Sequence, residues 1–218
     1  MQRLLDIFFS GVAITVLSII LIPIACLLRI TGEGEVFYKQ TRVGKNGNHF
    51  RLIKFATMLK DSPSIGSGEI TIKNDPRVLP LGKFLRKSKI NELPQLWNIF
   101  IGNMSIVGPR PMVPNTYARY PEEAQKVLNT LRPGLTGIGS IIFRDEERLL
   151  DGLINPAEFY NNNITPHKSN LERWFVQNNS LWLYIKVIFV TAWVVIFPSS
   201  NIAEKVFQGI PPLPDNLK

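Results

Sequence analysis

Glu92 follows Asn91 in the stretch Lys89-Ile90-Asn91-Glu92-Leu93-Pro94-Gln95, directly after the basic run Arg86-Lys87-Ser88-Lys89. A carboxylate and an amide oxygen beside several cations suit phosphoryl chemistry. The cations would hold an anionic, phosphate-bearing substrate, and the acid beside a neutral amide looks like a catalytic pair with one member neutralised. Two further segments carry matching charges: Lys54 in "KFATM" and Arg110 in "SIVGPRP". Arg110 lies between Pro109 and Pro111, which confine its backbone to extended conformations. A guanidinium on so stiff a support loses little freedom when it grips a phosphate bidentately. Taken singly, each of these residues reads as solvated surface charge. Their order, together with an apolar anchor, gives them weight as a set.

The elements that must position them begin with residues 7–28, "IFFSGVAITVLSIILIPIACLL", which hold no charge. As a helix this run is about 33 Å long, enough to cross a hydrocarbon core. It is too long for the apolar part of an ordinary signal peptide. Pro23 lies inside it and is expected to break the helix. Arg3 precedes the run, and Arg29, Lys39, Arg42 and Lys45 follow it. Basic residues on both flanks suit a re-entrant helix-break-helix with both ends on the cytoplasmic side, although the length also allows a span. Next, "VFYKQTRVGKNGNHFRLIKF" places Asn46-Gly47 between two apolar-aromatic runs and predicts a small β-hairpin. Residues 61–70 read as a flexible loop, and "LGKFLRKSK" as the start of a basic helix. Short helices are expected over 93–101 and 121–131. The segment 141–180 reads as polar and irregular, and 181–198 as an apolar interfacial or core helix with Trp182, Tyr184 and Trp193 suited to a headgroup layer.

With 45% hydrophobic residues the chain must bury a core. Its formal charge of +8 calls for an anionic partner. A single cysteine, Cys26, excludes an internal disulfide, and His49 and His167 form no zinc-type spacing with it. Nucleic acid is disfavoured as the anion, because no recognition motif is present and a long apolar anchor would serve no purpose there.

The stretches "RLLD", "VFYKQTRVGKNGNHFRLIKFATM", "NDPRVLPLGKFLRKSKINELPQLWNIFIGNMSIVGPRPMVP" and "LRPGLTGIG" resemble the bacterial sugar transferases, also called monotopic phosphoglycosyl transferases. The resemblance covers about residues 1–140 and continues more loosely to the end. It implies an α+β, predominantly helical fold in three parts. Residues 1–34 would form a re-entrant membrane helix broken at Pro23, and 35–140 a compact cytoplasmic catalytic core with a small β-hairpin and interfacial amphipathic helices. Residues 141–218 would form a C-terminal extension.

The implied reaction moves a sugar-1-phosphate from a nucleotide diphosphate sugar, a UDP-sugar, to polyprenyl (undecaprenyl) phosphate, and releases the nucleoside monophosphate. It would be the first membrane step of polysaccharide or glycoconjugate assembly, at the cytoplasmic face of the bacterial inner membrane. Mg2+ is the implied cofactor, and downstream glycosyltransferases are the implied protein partners. Carried onto this chain, the resemblance makes Glu92 and Asn91 the catalytic and metal-binding pair, and Lys54, Arg86 and Arg110 the phosphate ligands.

In the family the adjacent pair is Asp-Glu, and its aspartate attacks the sugar-bearing phosphorus. Asn91 occupies that place here, and a neutral amide is a poor nucleophile. Four readings follow. Glu92 serves as nucleophile or base, or the lipid phosphate attacks directly. Alternatively, Asp145, Glu146 or Glu147 of "FRDEE" has taken over. The chain is otherwise an inactive relative that binds as a scaffold, or it carries an engineered replacement of aspartate. The retained Lys54, Arg86, Glu92 and Arg110 favour the active readings, with Glu92 first.

Overall fold

A computed structural model describes residues 1–65, 75–197 and 200–217 of the chain. The fold is α+β and predominantly helical. Helix α1 (Gln2–Ile30) leads into an antiparallel hairpin of β1 (Phe37–Val43) and β2 (His49–Phe55). Helices α2 (Pro80–Lys87) and α3 (Gln95–Ile101) follow, and then β3 (Ser105–Val107), α4 (Pro114–Tyr117), α5 (Glu122–Leu128) and β4 (Gly134–Thr136). The remainder is helical: α6 (Ile138–Ile142), α7 (Glu146–Leu149), α8 (Pro156–Phe159), α9 (Thr165–Gln177), α10 (Leu181–Ile196) and α11 (Ile202–Val206).

The predicted hairpin forms where Asn46-Gly47 placed it. Both residues take positive φ, 59° and 74°, a conformation that asparagine and glycine tolerate best. The strands pair in register from Phe37 opposite Phe55 to Val43 opposite His49, which sets Lys54 across from Tyr38. The first half of the predicted 61–70 loop holds a 3-10 turn at Ser62–Ser64, and residues 66–70 lie outside the described part of the chain.

Helix α1 departs from the expected break. It stays helical through Pro23, and its inward residues Asp6, Ser10, Ala13, Ile14, Leu17, Leu21, Ile24, Ala25 and Leu28 keep a spacing of three or four throughout. Pro23 lies off this stripe, on the exposed face. The reason is packing. Ala13, Ile14 and Leu17 pack against the cluster of Leu52, Leu96, Ile99 and Met104, while Leu21, Ile24 and Ala25 pack against that of Leu28, Phe55 and Leu85. Contacts on both sides of the proline hold the axis where the missing backbone donor alone would loosen it. Near the start of the helix, Asp6 Oδ1 accepts from Ser105 Oγ (3.0 Å), Ile106 N (2.9 Å) and Tyr184 Oη (2.8 Å). Arg3 donates to the Ile99 and Phe100 carbonyls at the C-terminal end of α3, where the helix dipole favours a cation.

Strands β3 and β4 run parallel and join the "SIVGPRP" and "RPGLTGIG" stretches. Gly108 and Gly134 make this possible, because a Cβ on Gly134 would collide with the Gly108 backbone nitrogen. The segment expected to be irregular, 141–180, is instead largely helical. Its low apolar content hid the periodicity, since α9 buries Thr165, His167, Lys168, Ser169 and Glu172 beside Leu171 and Phe175. A π-turn at Tyr160–Ile164 joins α8 to α9 and leaves room for Pro166 without ending the helix. Helix α10, capped by Ser180 Oγ, turns Leu183, Tyr184, Val187, Val190 and Val194 into the largest core cluster. Its other face leaves Trp182, Phe189, Trp193, Val195 and Ile196 exposed.

Candidate active site

Three predicted residues from separate elements converge on one shallow, open cleft: Lys54 from β2, Glu92 from the 3-10 turn ahead of α3, and Arg110 from the loop after β3. Arg42, Leu52, Gln95, Pro111, Gly134 and Leu135 complete its walls. Strand and turn are held together by Asn98, which accepts from Ile53 N at 3.0 Å and donates to the Arg51 carbonyl at 2.8 Å. Lys54 Nζ then donates to Glu92 Oε1 at 3.1 Å, with the two side chains 19% and 20% exposed. Lys89, immediately upstream, takes a left-handed φ of 59° to turn α2 into the segment that carries Glu92. Such strain in a residue other than glycine collects at functional sites.

Three cations therefore face one carboxylate. Burial lowers the pKa of Lys54, Glu92 raises it in part, and Arg110 and Arg42 lower it further, leaving it at about 8. Burial alone would raise that of Glu92, but the charges of Lys54 and Arg110 outweigh it and hold the carboxylate ionised, at about 2. So acidic a group is a weak proton acceptor at neutral pH and a permanent oxyanion. Arg110 stays exposed to solvent. The desolvation that would lower its pKa is outweighed by Glu92, Glu146, Tyr160 and Glu172, which raise it.

Arg42 and Gln95 belong to the cleft although sequence reading missed them. Gln95 is 2% exposed, and among the described residues its Nε2 has no acceptor. Its position three residues after Glu92, one helical turn on, was the available signal. Arg42 donates from Nη1 to the Pro111 carbonyl at 2.9 Å, bracing the Pro-Arg-Pro loop from the opposite strand.

Asn91 is buried beside Glu92 but does not line the cleft, and among the described residues its Oδ1 has no donor. Arg86 is half-buried, donates to Met58 Sδ at 3.7 Å and likewise does not line the cleft. Of the alternative acids, Asp145 and Glu146 stay off the cleft wall, Glu146 accepts from Lys168, and the Glu147 side chain lies outside the described part. Among the described residues no three His, Cys, Asp or Glu side chains gather to hold a metal alone. The Glu92 carboxylate and the donorless Asn91 carbonyl are nevertheless hard oxygen ligands. They are the kind of ligand that Mg2+ takes, with substrate phosphate and water filling its shell, although Asn91 lies off the cleft wall and Glu92 is paired with Lys54.

The model of the bacterial sugar transferase family matches residues 1–198. The chain is 33% identical over 202 residues to the exopolysaccharide production protein PSS of Rhizobium leguminosarum, covering 88% of this chain and 92% of that protein. It is 32% identical over 195 residues to the UDP-glucose:undecaprenyl-phosphate glucose-1-phosphate transferase of Klebsiella pneumoniae, covering 88% of this chain and 39% of that one. It is 31% identical over 212 residues to the undecaprenyl-phosphate galactose phosphotransferase of Salmonella typhimurium, covering 89% and 41%. The chain thus spans about two-fifths of the length of the Klebsiella and Salmonella proteins.

Proposed function

The chain belongs to the bacterial sugar transferase family, and from that premise we propose that it transfers sugar-1-phosphate from a UDP-sugar to polyprenyl phosphate, releasing the nucleoside monophosphate. The observation that carries this reading is the cleft, in which Lys54 and Arg110 hold the carboxylate of Glu92 ionised and Arg42 lines the same wall. A diphosphate brings the negative charge this excess of cations calls for. The names of the Klebsiella and Salmonella relatives supply the substrate class.

Glu92 acts as nucleophile. Its oxygen bonds to the phosphorus that bears the sugar, the bond from that phosphorus to the nucleoside monophosphate breaks, and the electron pair leaves with the nucleotide. An oxygen of polyprenyl phosphate then attacks the same phosphorus and frees Glu92. The attacking phosphate is already anionic, so no general base is needed, and the acidity of Glu92 suits this division of labour. Lys54, Arg42 and Arg110 hold the phosphoryl oxygens and steady the charge that develops on them. Mg2+, held by Glu92 and Asn91 together with the diphosphate, would add further neutralising charge when bound.

Exposed apolar residues on α1, on α3 (Trp97, Phe100, Ile101) and on α10 suit a membrane face. Helix α1, about 43 Å long at 1.5 Å per residue, packs one side along the body for most of its length. That side is not free to be surrounded by lipid. The packing supports a helix seated in one leaflet of the inner membrane, with the body on the cytoplasmic face, where both substrates and later glycosyltransferases meet.

The test is incubation with Mg2+, polyprenyl phosphate and a panel of UDP-sugars, with release of nucleoside monophosphate as the readout. Glu92→Gln is expected to abolish release, and full activity in that variant would sink the assignment. Asn91 favours a second reading, an impaired membrane-bound scaffold. That reading predicts substrate binding with no release from either the wild-type protein or Asn91→Asp.

A further inference from the structure

Behind the Pro-Arg-Pro loop, away from the cleft wall, Glu172 of α9 is 4% exposed and points one oxygen at the loop itself. Its Oε1 accepts from Arg110 N at 3.4 Å, and its Oε2 has no donor among the described residues. Gly139 of α6 makes the space, since a Cβ there would lie 2.5 Å from Oε1. An acid packed this closely against the Arg110 amide, with half its carboxylate unserved, is poorly stabilised as an anion. We propose that Glu172 is a positioning residue that couples its own protonation to anion binding at Arg110: neutral, it leaves the arginine's charge to the phosphate, and ionised, it competes for that charge. The proposal rests on the phosphate-site reading above and adds regulation to it.

The surroundings of Glu172 set the sign. Lys168 on its own helix faces it but is engaged by Glu146 of α7 and by Tyr160 Oη at 3.1 Å. Tyr120, after α4, and Tyr160, in the π-turn, face the same cluster, and α6 (Ile138–Ile142), packed against it at Gly139, carries no charged residue. Burial drives the Glu172 pKa up, while the Arg110 amide, Lys168 and the Arg110 charge pull it partly back, to about 7. The group thus changes charge near neutrality. Linkage makes the effect reciprocal: an ionised Glu172 weakens anion binding, and a bound anion makes Glu172 harder to ionise, so binding near neutral pH takes up a proton.

The experiment measures binding of inorganic diphosphate to the full chain in lipid nanodiscs. Titration calorimetry would be run at pH 6 and pH 8 in two buffers of different ionisation enthalpy, comparing the wild-type protein with Glu172→Gln. Because both proteins meet the same ligand, the ratio of their affinities cancels the ligand's own titration. From pH 6 to pH 8 the wild-type affinity is expected to fall ~5-fold more than that of the variant. Proton uptake near pH 7 should exceed that of the variant. Identical pH dependence and identical proton uptake would overturn the proposal. Should Glu172→Gln fail to fold, Glu172→Asp keeps an ionisable group and must move the midpoint of the affinity profile, and an unmoved midpoint overturns the proposal equally. Diphosphate binding without release of nucleoside monophosphate retires the transferase reading alone and leaves the Glu172 coupling measured. Absence of diphosphate binding at both pH values sinks both.

Discussion

At the scale of single residues, the Asn91–Glu92 pair separates charge from location. Asn91 supplies a carbonyl where the family resemblance implies an attacking carboxylate, and among the described residues Glu92 keeps the one carboxylate on the cleft wall. Asn91→Asp is therefore expected to leave turnover unchanged or raise it. A fall to background would show that the neighbourhood no longer tolerates a second charge. Glu172 makes a prediction for stability that needs no substrate. Its folded pKa, about 7, lies above the ordinary glutamate value of 4.5, so the native state holds a proton that the unfolded chain has released between those pH values. Stability from this group is complete below the unfolded value and is lost as pH rises toward 7, by roughly 3 kcal/mol in all. Glu172→Gln should be about as stable as the wild-type protein near pH 4.5 and more stable at pH 8, which thermal melts at the two pH values will read. Lys54, Glu92 and Arg110 were legible in the sequence as a set, through their order and the family resemblance of the stretches that carry them, although each alone reads as surface charge. Gln95, Arg42 and Glu172 were not, because each acquires its role only when a distant element folds against it.

At the scale of elements, the hairpin and α3 were legible for a related reason: an Asn-Gly turn signal and a short apolar spacing are written within ten residues of chain. The helical character of 141–180 was hidden because α9 buries polar side chains, and a pattern read by hydrophobicity cannot see a buried Glu172 or Lys168. The predicted break in α1 failed for the opposite cause. A true local signal, Pro23, was overruled by contacts with the hairpin, α2 and α3. The bond between elements that bears most weight is Asp6, which joins α1 to β3 and α10 through three donors. Asp6→Ala would leave Ser105 Oγ, Ile106 N and Tyr184 Oη without their acceptor and is expected to cost about 3 kcal/mol or more. Tyr184→Phe, which removes one donor and leaves the other two bonds intact, should cost about 1 kcal/mol. Thermal unfolding of the two variants checks the ranking, and equal losses would show that the three bonds do not share the load.

At the scale of the whole molecule, the exposed apolar residues of α1, α3 and α10 make a membrane-facing surface testable without knowing the sugar. Trp97 on α3 and Trp182 and Trp193 on α10 are exposed, so on the proposed membrane seating lipids brominated near the headgroup should quench their fluorescence more strongly than lipids brominated at the chain ends. Equal quenching at all depths would contradict a body seated in one leaflet. The Asp6 bond also has a consequence for how the chain is made. Its partner Tyr184 lies 178 residues downstream, and Gln2 meets Asn179 across 177 residues. During synthesis α1 is made long before α10, so the Asp6 carboxylate has to wait for Tyr184 until the intervening segments have followed. Closing so long a loop is slow, and the vulnerable period of this protein's life is therefore its birth, when an apolar helix with an unmet charge depends on a partner not yet translated.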